Sequence, residues 1–270
     1  MQMRPSRVLK KLRAGEVVSC FKLNLGDARA VEIAALAGFD CVWTGMEHIA
    51  NDWSVIEQQV WASKAHGVDL LVRVSRGGYS DYIRPLELDA AGIMVPHVMS
   101  LADAKAVVRM TRFHPIGRRP LDGGNADGAY CNIDLADYVK QANAERFIVL
   151  QIEDPEPLAE VDAIAALEGI DMLFFGPGDF THGLGVPGQF DHPKVSEARR
   201  RVAEAAVSKG KFAGTVGNPR ALPELVEMGY RFISMGSDVV GLSAYCGDLV
   251  SAFAELGTLR GVPPLRPLHA

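Results

Sequence analysis

Short runs rich in β-branched and aromatic residues alternate along the chain with longer segments whose apolar positions recur every three to four residues. This is the pattern of βα units around a parallel sheet. The apolar runs predict strands over residues 17–23, 40–43, 70–74, 92–95, 147–152, 172–175, 212–215 and 232–235. Most are near-continuously apolar, as expected when helices cover one side of a strand and a barrel interior covers the other. The helical period predicts helices over 28–37, 54–65, 79–88, 101–112, 135–144, 158–167, 195–208, 220–228 and 238–256. Asp27, Asp52, Ser100, Asp134 and Asn218 each precede one of these segments, where a side-chain oxygen can accept from free first-turn amides. Gly38, Gly67, Gly210 and Gly229 stand where helices should stop.

Eight such units without a dividing linker predict a single-domain α/β fold, a (β/α)8 TIM barrel over residues 1–260, followed by a Pro-rich tail over 261–270. A doubly wound open sheet is the alternative. One connection breaks the rhythm: residues 114–132 carry Gly-Arg-Arg-Pro and then Asp-Gly-Gly-Asn-Ala-Asp-Gly. A loop of that length in a compact domain is usually functional or disordered.

Composition narrows the classes further. At 270 residues, 48% hydrophobic and 23% charged, the chain is an average globular protein and neither disordered nor fibrous. Its 33 acids against 28 bases give a net charge of -5, which offers no general attraction for nucleic acid or anionic lipid. Neither is expected as a partner. No run reaches the ~18 apolar residues of a membrane span, and the first residues lack the apolar core of a signal peptide, so a cytoplasmic location is expected. Cys20, Cys41, Cys131 and Cys246 form no C-x-x-C pair and read as reduced thiols.

Catalytic groups of a (β/α)8 barrel sit on the carboxyl-terminal strand ends and the loops after them. Polar residues cluster at those positions: Glu47-His48 after the second strand, Arg73 in the third, His97 after the fourth, Gln151-Ile152-Glu153-Asp154 at the fifth and Asp179 after the sixth. Glu153 and Asp179 are 26 residues apart (179 minus 153), about one βα unit, so neighbouring strand ends bring both carboxylates to one side of the mouth. They either share a divalent cation or serve separately as a helix cap and a solvated loop acid. Hard oxygen ligands favour Mg²⁺ or Mn²⁺, whereas a dedicated zinc site recruits His or Cys. Gln151 alternates onto the same face as Glu153, and Glu47 lies on another loop; either can hold metal-bound water. Arg73 ends an apolar strand and needs an anion, whether a substrate oxygen or a barrel glutamate. His48 can move protons at neutral pH, while a lone histidine is more often structural. The glycine-rich stretch 176–185 offers backbone amides to an anion or is a plain turn. It is no P-loop, and no G-x-G-x-x-G follows the first strand, which disfavours nucleotide binding.

Across nearly the whole chain, the residues resemble the HpcH/HpaI class II pyruvate aldolases, a family that includes 4-hydroxy-2-oxoheptanedioate and 2-keto-3-deoxy sugar-acid aldolases. The resemblance is carried by Gly38-Phe39-Asp40, Glu47-His48, Val72-Arg73, Val95-Pro96, residues 111–119, residues 138–143, Gln151-Ile152-Glu153, residues 175–179 and residues 192–195. It implies a barrel that binds Mg²⁺, Mn²⁺ or Co²⁺ through Glu153 and Asp179, with pyruvate chelating the ion and its enolate stabilised there. Arg73 matches the arginine at the keto or enolate oxygen, His48 the proton-transfer histidine, and the amides near Gly178 and Asp179 those holding the pyruvate carboxylate. The implied activity is reversible cleavage of 4-hydroxy-2-oxo acids to pyruvate or hydroxypyruvate and an aldehyde, without a Schiff-base lysine. The implied assembly is a homo-oligomer, often a hexamer, with terminal helices between subunits. Two positions depart from the pattern. Gly45 stands where the family commonly has the aspartate that orients the histidine, and His97 stands where the residue is often apolar. The first departure keeps open a metal-dependent lyase on another 2-oxo or acyl substrate, or a barrel that binds a 2-oxo acid without turning it over.

Overall fold

The computed structural model describes residues 1–255; the expected tail at 261–270 and the last predicted helical residue lie outside the described residues. Eight strands form a closed parallel barrel in chain order: β1 (Val18–Lys22), β2 (Cys41–Gly45), β3 (Asp69–Arg73), β4 (Gly92–Val95), β5 (Phe147–Ile152), β6 (Met172–Phe175), β7 (Phe212–Gly217) and β8 (Tyr230–Ser237). Around it run α1 (Arg7–Arg13), α2 (Ala28–Leu36), α3 (Trp53–His66), α4 (Tyr79–Glu87), α5 (Leu101–Thr111), α6 (Leu135–Glu145), α7 (Val161–Ala165), α8 (Pro177–Gly183), α9 (Pro193–Ser208), α10 (Leu222–Glu227) and α11 (Asp238–Glu255). The open-sheet alternative is thereby excluded. Among the described residues no helix is long and apolar enough to cross a membrane.

Strand parity divides the apolar residues into two layers. Val18, Cys20, Trp43, Leu71, Val149, Phe174 and Phe232 fill the barrel interior. Their neighbours Val42, Leu70, Val72, Ile148, Leu150, Leu173 and Ile233 pack outward beneath the helices. Parity also places the next inward position at the mouth: Lys22 after Cys20, Gly45 after Trp43, Arg73 after Leu71, Gln151 after Val149 and Gly176 after Phe174. The opposite end is closed by α1, which the apolar pattern did not predict. Its Val8, Leu9 and Leu12 join the interior cluster. Buried Asp69 anchors that segment by accepting from Ser6 Oγ at 2.6 Å, Val8 N at 2.9 Å and Arg4 at 3.0 Å.

Asp27, Asp52, Ser100 and Asp134 cap α2, α3, α5 and α6 as expected. Two segments differ from expectation. Residues 158–167 divide into a 3-10 turn (Glu156–Glu160) and the short α7, because Pro155 and Pro157 hold the entry tight. Within 114–132, buried Asp127 accepts from Arg119 at 2.8 Å and from Tyr138 Oη at 2.8 Å, so an ion pair closes the loop on itself and the Tyr138 hydroxyl ties it to α6.

Candidate metal centre

Glu153 follows β5 directly and is buried. Its Oε1 accepts from the His97 backbone N–H at 2.9 Å, and its Oε2 accepts from the Gln151 side-chain amide. Gly176, at the end of β6, makes this closeness possible. A Cβ there would stand 2.8 Å from Glu153 Cβ and 2.9 Å from Gln151 Nε2. Asp179 is the third residue of α8, after Pro177 and Gly178. Its carboxylate has no hydrogen bond or ion-pair partner among the described residues.

The third member of the cluster is His97, two residues beyond β4. Its φ of 48° lies in the left-handed region that a non-glycine residue enters at a cost. In that conformation its amide faces Glu153 and its Nδ1 lies 2.8 Å from Asp154 Oδ2. One ligand atom from each of His97, Glu153 and Asp179 lies within 4.8 Å of the other two. Ions with bonds of about 2 Å can close such a gap with small side-chain adjustments.

Burial and the charges within the cluster set its electrostatics. Burial is the main cause that pushes the Glu153 carboxyl up to about 7; the His97 amide and the charges of His97 and Arg73 pull it down, and Asp179 pushes it up again. Burial opposes charge on His97, yet the hydrogen bond to Asp154 and the charges of Glu153, Asp154 and Glu47 outweigh it and raise the imidazole pKa. Two carboxylates with no Lys or Arg at ion-pair distance among the described residues, one of them buried, are a donor set suited to a divalent cation. Among the described residues, buried Gln151 Oε1 has no hydrogen-bond partner, while its amide nitrogen is held by Glu153. His97 adds an imidazole nitrogen beside the two carboxylates that the sequence names as ligands.

Arg73, buried at the end of β3, pairs with Glu47: its Nε is 3.0 Å from Glu47 Oε2, close enough for an ion pair but not aligned as a hydrogen bond. Its guanidinium carbon lies 5.2 Å from the centroid of the Trp43 ring. Glu47 also stands 3.5 Å from His48 Nε2 and 3.7 Å from His97 Nε2. His48 is therefore at the rim, with its side chain 59% exposed and Glu47 as its nearest acid. Gly45 lines the mouth with room beside it, since an added Cβ would meet nothing closer than Ile49 Cδ1 at 3.7 Å. The glycine-rich stretch 176–185, which offers amides to an anion or makes a plain turn, contains α8, whose first turn leaves the amides of Gly178 and Asp179 without helical acceptors.

Glu47, Arg73, Gln151, Glu153, Gly178 and Asp179 thus meet at one opening, with His48 at its edge. The residues that sequence reasoning missed are His97 as a member of the cluster and Lys22 at the end of β1. Strand parity was the available signal for Lys22, and the short step from Pro96 to the mouth was the signal for His97.

Such a molecule is a (β/α)8 barrel with a His/Glu/Asp cluster capable of chelating a divalent metal at the carboxyl-terminal ends of its strands. Over residues 19–244 the chain matches the HpcH/HpaI aldolase/citrate lyase family, and it belongs to that family of metal-dependent lyases and aldolases acting on 2-oxo-acid-type substrates. It is 31% identical over 254 residues to a hydroxypyruvate/pyruvate aldolase of Pseudomonas aeruginosa, with 94% of each chain covered. The crystal structure of an HpcH/HpaI aldolase from Desulfitobacterium hafniense DCB-2 superposes with a TM-score of 0.86 at 32% identity, covering 95% of this chain and 98% of that one. The citrate synthase SbnG superposes with a TM-score of 0.84 at 25% identity, covering 93% and 98%.

Proposed function

We propose that the protein is a divalent-metal-dependent aldolase that reversibly cleaves 4-hydroxy-2-oxo acids to pyruvate or hydroxypyruvate and an aldehyde. The observation that carries this reading is the convergence of His97, Glu153 and Asp179 beside Arg73 at one barrel mouth. Glu153 and Asp179 would hold the ion, with His97 beside them and Mg²⁺, Mn²⁺ and Co²⁺ as the expected metals. When bound, the ion supplies a Lewis acid that draws negative charge from the oxo acid.

The protein's own groups supply the rest. Gln151 fixes Glu153 through its amide, and the first-turn amides of Gly178 and Asp179 receive the substrate carboxylate. Arg73 places a guanidinium where the keto oxygen gains charge, oriented from behind by Glu47 and Trp43. His48 moves the proton to or from the substrate hydroxyl, with Glu47 at 3.5 Å from its Nε2 to steady it. The exposed apolar residues of α11 support a homo-oligomeric assembly.

The test is a screen of aldehydes with pyruvate and hydroxypyruvate before and after chelation. Activity lost to chelator, regained with Mn²⁺ or Co²⁺, and leaving no borohydride-trapped pyruvate is the expected result. A pyruvate adduct on a lysine would refute it. Gly45 and the exposure of His48 favour two other readings, a related lyase on another 2-oxo or acyl substrate and a non-catalytic 2-oxo-acid binder. Pyruvate binding without exchange of its methyl protons in deuterated water would select the binder.

A further inference from the structure

Lys22 is the last residue of β1, and its alternation with Val18 and Cys20 turns it inward at the mouth. Its Nζ lies 5.1 Å from the centroid of Trp43, the indole that also carries the Arg73 guanidinium. Two cations therefore share one aromatic ring. Among the described residues Lys22 has no hydrogen bond and no carboxylate at ion-pair distance.

The acids whose charge reaches it are Asp238, Glu47 and Asp179, and none of them lies at ion-pair distance from it. Asp238 accepts from the backbone amides of Asn24 at 2.9 Å and Leu25 at 2.8 Å. Glu47 is paired with Arg73, and Asp179 belongs to the metal cluster. Burial, followed by the positive charge of Arg73, lowers the Lys22 pKa despite those three acids. A partly buried ammonium without a counter-anion is costly, and an incoming anion relieves that cost.

Position decides which anion. In the closed barrel β1 stands four strands from β5, so Lys22 faces Glu153 and the rest of the cluster from across the opening. An oxo acid held at the cluster by its first two carbons presents its far end to Lys22. We propose that Lys22 is a specificity-determining residue that binds a carboxylate on the far, aldehyde-derived half of the substrate, selecting 2-oxo diacids over 2-oxo acids with uncharged tails. This inference rests on the 2-oxo-acid reading above.

Calorimetry on the Mn²⁺-loaded protein separates the two. The probes are 2-oxoglutarate and 5-methyl-2-oxohexanoate, in which an isopropyl group replaces the far carboxylate. The wild type should bind the diacid more tightly by roughly tenfold or more, the scale of one charge-assisted hydrogen bond. Lys22→Met should remove that preference while leaving the affinity for the uncharged probe in place, and Lys22→Arg should retain most of it. Equal affinity of the wild type for both probes, or a preference that survives in Lys22→Met, overturns the assignment. Borohydride trapping of either probe on Lys22 also overturns it, by giving the lysine a covalent role. Failure of both probes to bind a protein that does bind Mn²⁺ removes the 2-oxo-acid reading and this inference with it.

Discussion

Glu153 concentrates the chemistry of the mouth in one side chain. Its ordinary value of 4.5 is raised to about 7, chiefly by burial. Between those two values the folded state holds a proton that the unfolded chain has already released. Stability contributed by the neutral carboxyl is therefore present at low pH and lost as pH rises through about 7. His97, whose pKa is also raised, acts in the same sense. Metal-free Glu153→Gln, which cannot ionise, should gain thermal stability relative to the wild type at pH 8 and lose that advantage at pH 5. Paired melting curves check this, and a difference independent of pH would contradict it. Glu47, Arg73, Gln151, Glu153 and Asp179 were legible in the sequence because each follows or ends an apolar strand, where a barrel displays its chemistry. His97 and Lys22 were harder to read. The first joins the cluster through a left-handed backbone turn, the second through strand parity, and neither leaves a motif in the residue order.

At the level of elements, the eight strands were legible because parallel barrel strands are apolar on both faces, and β4, β5 and β6 have the expected limits. The helices α1 and α8 were not. The first is seven residues long and owes its place to tertiary anchoring by Asp69. The second begins with Gly-Pro-Gly, a composition that reads as a turn until the end of β6 feeds Pro177 into a first helical position. This β6–α8 junction sets the distance between Glu153 and Asp179, and Gly176 is its tightest point. Gly176→Ala would press a methyl group against Glu153 Cβ at 2.8 Å, an atom close to the backbone that cannot swing aside. Overpacking of this kind costs about 1–3 kcal/mol. Mn²⁺ affinity should fall by roughly tenfold or more if even part of that strain displaces the carboxylate. Titration calorimetry measures it, and unchanged affinity in a folded variant would show that the junction does not set the site.

The whole molecule is a barrel closed at one end by α1 and open at the other to charged groups. Its last described helix, α11, exposes Val240, Leu242, Tyr245 and Leu249, more apolar surface than a solvated helix needs. A second copy of the chain is the expected cover. Light scattering should report a multimer that Leu242→Glu combined with Tyr245→Lys reduces to smaller species; a wild-type monomer would contradict it. The grip of Glu153 and Asp179 on a dication underlies the activity proposed for this mouth, and Mn²⁺ titration followed by electron paramagnetic resonance examines that grip without depending on turnover. The wild type should take up a single ion per barrel. Glu153→Ala and Asp179→Ala should each leave the ion free, and Asp154→Asn, which loosens His97, should weaken binding by about 10- to 100-fold. Full Mn²⁺ uptake by both alanine variants, or none by the wild type, would show that the carboxylates do not form the metal site.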